Sequence, residues 1–377
     1  MHSAKMADIL RTDLAKTGST AAASITDVHQ LSSYNWIEAP EPTIAVPGKP
    51  ALWSPPKAPR KVAKDSGLIY SAQNAARHPD SPLEPLFRSL LITDPSFDFQ
   101  SVGLVTDRNN IRKLLSFINP SLSRNGREPF TIKVEVIDDI AIFCRSEAEV
   151  SRFIAPDKFV GYGCEFEKAY TSEQISGSTG HHRIISYQFS DLKLIVRYET
   201  DGYVDNAPTK GKEMDSEDLT SLIESLSLGS TSSIVSPASA KSKLMIKKEG
   251  EAVPIESTLE IKTRSAYKPF DIQEVIPHLW VSQTPNLVRA FHKQGLFAVP
   301  QVENLTREIK QWEEDHQGDL QKLAVLIKKI INVVKANGGA GVVIYDFDQG
   351  DKLVIWPADG NKLLPEDVYA RLQKPSY

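Results

Sequence analysis

The chain has little cysteine, only Cys144 and Cys164 in 377 residues. Two thiols cannot build a disulfide framework or a four-cysteine zinc site, and they suit a reducing compartment. Long apolar runs are missing too. Nothing approaches the roughly 18 residues that a membrane-spanning helix needs. The first seventeen residues lack an apolar signal core, because Asp8, Arg11, Asp13 and Lys16 interrupt them. There is no excess of basic charge: 44 Lys and Arg face 48 Asp and Glu, for a formal charge of −4. Any grip on nucleic acid must therefore be local. Gly161-Tyr162-Gly163 also lacks the Gly-Lys-Ser/Thr ending of a phosphate loop. These absences point to an intracellular protein, nuclear or cytoplasmic, with no membrane partner.

What is present divides unevenly. Residues 1–96 read as a largely irregular, proline-rich arm, with seven prolines between Pro40 and Pro59 and a basic stretch from Lys57 to Lys64. Trp36 and Trp53 should pin this arm to the core. Periodic structure is expected from 97 to 204 and again from 259 to 357, as one domain. Ile111, Leu114, Leu115 and Ile118 predict a helix capped by Thr106 or Asp107 and stopped at Asn119-Pro120. Thr131–Ile137 with Ile140–Cys144, and Arg183–Phe189 with Leu192–Tyr198, predict hairpins. Leu320–Lys335 is the strongest helical pattern, and Gly341–Phe347 with Lys352–Trp356 predict a last hairpin. Between the two halves, residues 205–258 carry eleven serines and read as a disordered insertion; residues 358–377 read as a tail. The proline-rich arm or the serine-rich insertion could hold a protein partner.

Three acidic clusters stand at the ends of these elements. Glu167 follows the tight Gly161–Gly163 segment, Glu199-Thr200-Asp201 ends an apolar strand, and Glu260-Ile261-Lys262 sits on a short strand after the insertion. On a strand, residues i and i+2 share a face, so Glu199 pairs with Asp201 and Glu260 with Lys262. If the strands are neighbours, several carboxylates converge and need a positive charge among them. A hard cation, Mg²⁺ or Mn²⁺, suits such an all-oxygen set. Single pairs of this kind are common, as Glu147-Ala148-Glu149 shows, and Glu308-Ile309-Lys310 lies in a helical stretch where i and i+2 diverge. The ordered combination on strand ends is the informative signal. His181-His182 reads as a loop pair, and Cys164 as a small residue beside the acids.

The order and spacing of these motifs resemble the DXO family of RNA 5′-end decapping exoribonucleases. Val105-Thr106-Asp107-Arg108 with Ile111–Leu115 resembles the family's first motif, Gly163-Cys164-Glu165-Phe166-Glu167 its Gly-x-x-Phe-Glu motif, and Glu199-Thr200-Asp201 its Glu-x-Asp motif. Glu260-Ile261-Lys262-Thr263 resembles Glu-Leu-Lys-Thr, and Trp280–Gln283 is similar to the segment that closes the site. Asn109 stands where the family has glycine, and 59 positions separate Asp201 from Glu260, more than is usual there. The resemblance implies an α/β, mixed-sheet, PD-(D/E)XK nuclease-like core with flanking helices. It implies metal-dependent hydrolysis at an RNA 5′ end that is phosphorylated or capped. Glu167, Glu199, Asp201 and Glu260 would hold Mg²⁺ or Mn²⁺, and Glu167, Asp201, Glu260 and Lys262 would be catalytic. Arg108 and Gln283 would bind substrate. The alternatives are an inactive binding or scaffold protein on the same fold and a DNA-directed nuclease.

Overall fold

The structure, a computed structural model, describes residues 4–16, 22–123, 126–205, 235–239 and 242–373. Its frame is a mixed sheet of twelve described strands. At the centre run Ile140–Ser146, Leu104–Asp107, Leu192–Thr200 and Ser178–Phe189, in that order. Leu104–Asp107 is parallel to both its neighbours, with Val105 opposite Ile142 on one side and Ile195 on the other. Leu192–Thr200 returns antiparallel along Ser178–Phe189, setting Glu199 opposite His182. Both faces of these strands are covered, which explains their nearly continuous apolar character. Ile185 and Val196 face Leu114, Trp280 and Ile327 from the helices Arg108–Ile118, Ile276–Ser282 and Gln317–Ala336. Ile184 and Ile195 face Phe87, Leu90 and Leu372 from Glu84–Thr93 and Glu366–Leu372.

A second sheet of eight described strands adjoins the first, and in one of the chain's passages between them a single residue, Asp201, links strands of the two sheets. Leu192–Thr200 ends in the large sheet. After Asp201, Gly202–Tyr203 joins the second sheet, antiparallel to Thr258–Ser265 and parallel to Leu52–Trp53. A Cβ on Gly202 would lie 2.8 Å from the Ala51 carbonyl oxygen, so only glycine passes this close to the neighbouring backbone.

Three expectations need correction. The first 96 residues are not a largely irregular arm. Ile25–Ile37 is a thirteen-residue strand paired with Ser178–Phe189, and Thr43–Gly48 lies beside it. The alternation is hidden because polar residues are buried there: Ser32 Oγ donates to Ser89 O, Ser33 Oγ to Pro47 O, and Asn35 Nδ2 to Lys49 O. Trp36 is fully buried and donates to Asn74 Oδ1, and Trp53 stacks on Tyr170, so both tryptophans are anchored as expected. Nor is the stretch to 258 irregular throughout, since Met245–Gly250 pairs in parallel with Thr43–Gly48. Residues 206–234, the larger part of the expected insertion, lie outside the described residues. The C-terminal tail is also built in: Glu366–Leu372 docks through Arg88, which meets both carboxylate oxygens of Asp367 at 2.6 and 3.0 Å.

Candidate active site

The acidic residues meet at the seam between the sheets. Asp201 occupies the crossing point, and its Oδ2 accepts from the Ile261 amide at 2.7 Å. Glu260 and Lys262 flank that amide, so the bond sets all three side groups at one place. Glu167 arrives from the helix Gly163–Tyr170, whose Phe166 packs on Phe297 of the second sheet. The start of this helix is held from far away in sequence: buried Asp65 accepts from the Gly163 amide at 2.8 Å and the Glu165 amide at 3.0 Å. Lys262 Nζ donates to Glu260 and lies 4.0 Å from Asp201 Oδ2. Arg108, first residue of Arg108–Ile118, reaches Glu260 Oε2 at 3.3 Å, with its guanidinium 5.3 Å from the Tyr198 ring centre. His278 Nε2 approaches Glu260 Oε1 to 3.0 Å.

The charges here are strained in a particular direction. Burial, then Glu260, push the Asp201 carboxyl up to about 7. Burial and Asp201 raise Glu167 well above the usual carboxylate range. Glu199, whose side chain opens to solvent, is raised by the protein packed around it and by Glu260 against the pull of Arg108. Glu260 goes the other way. Its burial is outweighed by His278, Lys262 and Arg108, which hold it ionised well below the ordinary value. His278 is itself driven down to about 3 by burial and then by Arg108, so it is neutral and the permanent cations carry the effect on Glu260. Four carboxylates thus share too little positive charge.

Beside them opens a cavity of about 270 Å³ whose wall includes Arg108, Arg112, Arg145, His182, Glu199 and His278. Arg112 makes no hydrogen bond or ion pair among the described residues, and burial, then Arg108, lower its pKa to about 10. Arg145 is anchored by Glu147, which also holds Lys113 and Asn109. The cavity therefore offers a half-buried guanidinium with spare donors next to an acidic seam, an arrangement suited to a phosphate group.

A family model described as a domain of unknown function (DUF8563) matches residues 6–373. The chain belongs to that family. No curated protein matches it. Among solved structures, Rai1 of S. pombe superposes with a TM-score of 0.57 at 13% identity, covering 93% of this chain and 99% of that one. Rai1 of Scheffersomyces stipitis in complex with (3′-NADP)⁺ and calcium ion gives 0.55 at 12%, covering 95% and 93%. Rai1 of Candida albicans in complex with pU5-Mn²⁺ gives 0.53 at 11%, covering 93% and 97%. The likeness is one of fold. It bears out the α/β mixed-sheet class and the resemblance to the DXO family that the motifs carry.

On the Rai1 fold the sequence-predicted residues separate into two groups. Glu167, Glu199, Asp201, Glu260 and Lys262 do come together, with Arg108 beside them. Gln283 does not join them. It ends Ile276–Ser282 in a left-handed conformation, φ 52°, and its amide turns back to donate to Trp280 O. Asp107 starts its helix without capping it, because Arg197 takes both its carboxylate oxygens at 2.7 and 3.1 Å. His181 and His182 are buried strand residues rather than a loop pair, bonded to Asn35 and Gln73 on opposite faces. Cys164 lies beside Glu167, and burial, then that carboxylate, push its thiol up to about 11. Sequence reasoning missed Asp65, Arg112, Arg145 and His278. Arg112 lay one helical turn after Arg108, so its shared face was legible; the other three are joined only by tertiary contacts.

Proposed function

We propose that this chain is a divalent-metal-dependent phosphohydrolase acting on RNA 5′ ends, by decapping or pyrophosphate release, by 5′–3′ cleavage, or by both. The observation that carries the reading is the meeting of Glu167, Glu199, Asp201 and Glu260 with Lys262 beside an arginine-lined cavity. The donor set fits a hard cation chemically, being all oxygen and short of positive charge. Among the described residues no three acidic, His or Cys side chains stand in ligand geometry, and Lys262 occupies Glu260 in a cation's stead. Binding of Mg²⁺ or Mn²⁺ by Glu167, Glu199, Asp201 and Glu260 then requires Lys262 to release Glu260. Such an ion, when bound, polarises a phosphate oxygen and eases deprotonation of water.

The chain's own residues supply the rest. Arg108 and Arg112 receive the phosphate, and the Tyr198 ring backs the Arg108 guanidinium. Lys262, once off Glu260, offsets charge that develops on the phosphate oxygens. That the fold is shared with Rai1 structures holding pU5-Mn²⁺ or (3′-NADP)⁺ supports a nucleotide in this place. The lysine clamp on Glu260 favours a second reading, a binding protein with a closed centre. Incubation of the protein with 5′-triphosphate, capped and 5′-monophosphate RNAs in Mn²⁺, with single-stranded DNA in parallel, separates these readings. Product from RNA that disappears with chelator supports the enzyme. Tight RNA binding without product supports the binding protein, and product from DNA alone overturns the RNA assignment.

A further inference from the structure

The segment from Lys57 to Lys64 and the small ribbon beside it play no part in the site described above. Among the described strands, Gly67–Tyr70 and Ser151–Ile154 pair only with each other, setting Leu68 directly opposite Phe153. Residues opposite each other in an antiparallel pair share a face, and here that face is bare. Leu68 is 55% exposed and Phe153 73%. From Ile154 the chain loops outward and returns where the Asp65 amide donates to Gly161 O at 3.0 Å. That loop carries Phe159 and Val160, also exposed, and so is Leu296, which stands opposite Lys61 in the second sheet. Five of the twelve large apolar side chains exposed among the described residues therefore lie here. Such a concentration marks an interaction surface, whereas singly scattered exposed residues are ordinary.

Cations surround these apolar groups. Lys57, Arg60, Lys61, Lys64 and Arg152 are exposed, and none forms an ion pair among the described residues. Lys64 Nζ stands 5.6 Å from the centre of the Phe159 ring. The neighbouring acids do not neutralise this charge. Asp65 is buried and accepts from the Gly163 and Glu165 amides, and Asp157 lies 3.7 Å from Lys158. The surface is thus apolar with uncompensated positive charge around it. Its complement is acidic and apolar at once.

The edge strand says what form that complement takes. Arg60–Lys61 is the last strand of the second sheet, and the next amide, that of Val62, donates to Gly295 O at 2.9 Å. Bonded and non-bonded pairs alternate along an antiparallel ladder, so Lys61 turns its own N–H and C=O away from Leu296, to the open side. Beside this free edge Lys61, Lys64, Phe159, Tyr162 and Gln294 line an open groove of about 460 Å³. An extended peptide pairs with such backbone groups, and a lipid headgroup makes no use of them. Nucleic acid fits less well for another reason. Tyr162 is buried, and Leu68, Val160 and Leu296 offer no aromatic face for a base to stack on. Lys61 and Leu68 are seven positions apart, at most about 25 Å of extended chain, so about eight residues of a bound strand span groove and ribbon.

We infer that this groove and the Leu68–Phe153 ribbon together hold an extended acidic segment of a partner protein. Its large apolar side chains seat against Phe159 and Phe153, and its carboxylates meet Lys61 and Lys64. The inference goes beyond the proposed hydrolysis and needs neither metal nor RNA.

The test selects displayed random dodecapeptides on the full chain and measures the most enriched one, made synthetically, by fluorescence anisotropy. The selected peptides should combine Asp or Glu with Phe, Leu or Trp, and their affinity should fall as salt rises. Phe153→Ser/Phe159→Ser should weaken binding at least tenfold, the loss expected when two anchors are removed. Its melting temperature should stay with that of wild type, because both side chains are exposed. Lys61→Glu/Lys64→Glu should reject those peptides and select basic ones instead, a gain that a folding defect cannot produce. Selected peptides without acidic bias overturn the inference, as does equal binding of the enriched peptide to wild type and to the serine variant. So does a serine variant that keeps the peptide but loses a twelve-nucleotide oligouridylate or phosphatidylserine vesicles bound by wild type. The first loss would give the surface to nucleic acid and the second to lipid.

Discussion

The carboxylate of Asp201 accepts a 2.7 Å hydrogen bond from the backbone amide of Ile261. That bond joins the point where the chain leaves the large sheet to the strand that carries Glu260 and Lys262. It also fixes one buried carboxylate close to another; burial, then Glu260, make Asp201 hold its proton to about pH 7, against the pull of Lys262 and of the Ile261 amide. The fold thus spends a structural hydrogen bond on keeping two like charges together, a cost that a cation would relieve.

Asp201→Asn tests this directly. Between the ordinary Asp value of 3.8 and about 7 the folded protein binds more protons here than the unfolded chain. Linkage then makes this group's contribution fall as pH rises through that window, with the full cost present by about pH 8. Asparagine removes the charge and keeps an acceptor for Ile261. In the absence of metal at about pH 8 the variant should melt a few degrees above wild type, and the difference should vanish below about pH 4. Wild type should gain stability from Mn²⁺ increasingly as pH passes about 7, because the ion must displace the proton. A variant less stable than wild type under those alkaline conditions would count against crowded carboxylates at the seam.

Asp65 is the second target. It satisfies two amides at the start of the Glu167 helix from 98 positions away, an N-terminal cap supplied by tertiary structure. Loss of such a cap costs about 0.5–2 kcal/mol. Asp65→Ala should lower the urea midpoint accordingly and weaken Mn²⁺ binding, because Glu167 rides on the freed turn. Unchanged stability together with unchanged Mn²⁺ affinity would show that the helix is positioned by Phe166 packing alone.

Much of this centre was legible in the sequence because its chemistry sits on strongly periodic elements. Ile111, Leu114 and Leu115 announced the helix behind Arg108, and the run from Leu192 to Tyr198 led directly to Glu199. Whether Glu199, Asp201 and Glu260 would be neighbours depended on the crossing at Gly202, which no local pattern encodes. The strand Ile25–Ile37 was hidden for another reason. Ser32, Ser33 and Asn35 look like surface residues until their partners Ser89, Pro47 and Lys49 are seen. Asp65 and His278 carry no periodic signal, and their roles come only from contacts made across the fold.

The strand Met245–Gly250, paired on both sides near one edge of the large sheet, gives a stability prediction. Leu244 is fully buried and Ile246 nearly so, packed with Tyr34, Trp36 and Ile44 in the core on one face of the large sheet. Truncating a buried leucine costs about 2–5 kcal/mol. Leu244→Ala should therefore lower the melting temperature by several degrees. A melting temperature within about one degree of wild type would return this segment to the status of a dispensable insertion.

Lys262→Ala separates the enzyme from the binding protein. Burial works against the ammonium, but Glu260 and then Asp201 carry its pKa above the ordinary lysine value, so it is charged at any working pH. Removing it leaves the buried Glu260 with Arg108 and His278 alone, and metal-free stability should fall. Mn²⁺ affinity should rise, because the ion no longer competes with a resident cation for Glu260. In the enzyme the same lysine matters most as charge develops on phosphate, so turnover should drop roughly 10²–10³-fold with little change in RNA affinity. Calorimetric titration with Mn²⁺ reads the first effect and single-turnover cleavage the second. In the binding protein wild type already yields no product, and the variant still binds Mn²⁺ more tightly than wild type. Weaker Mn²⁺ binding in the variant would show that Lys262 supports the carboxylates instead of standing in the cation's place, and the proposed metal site would fall with it.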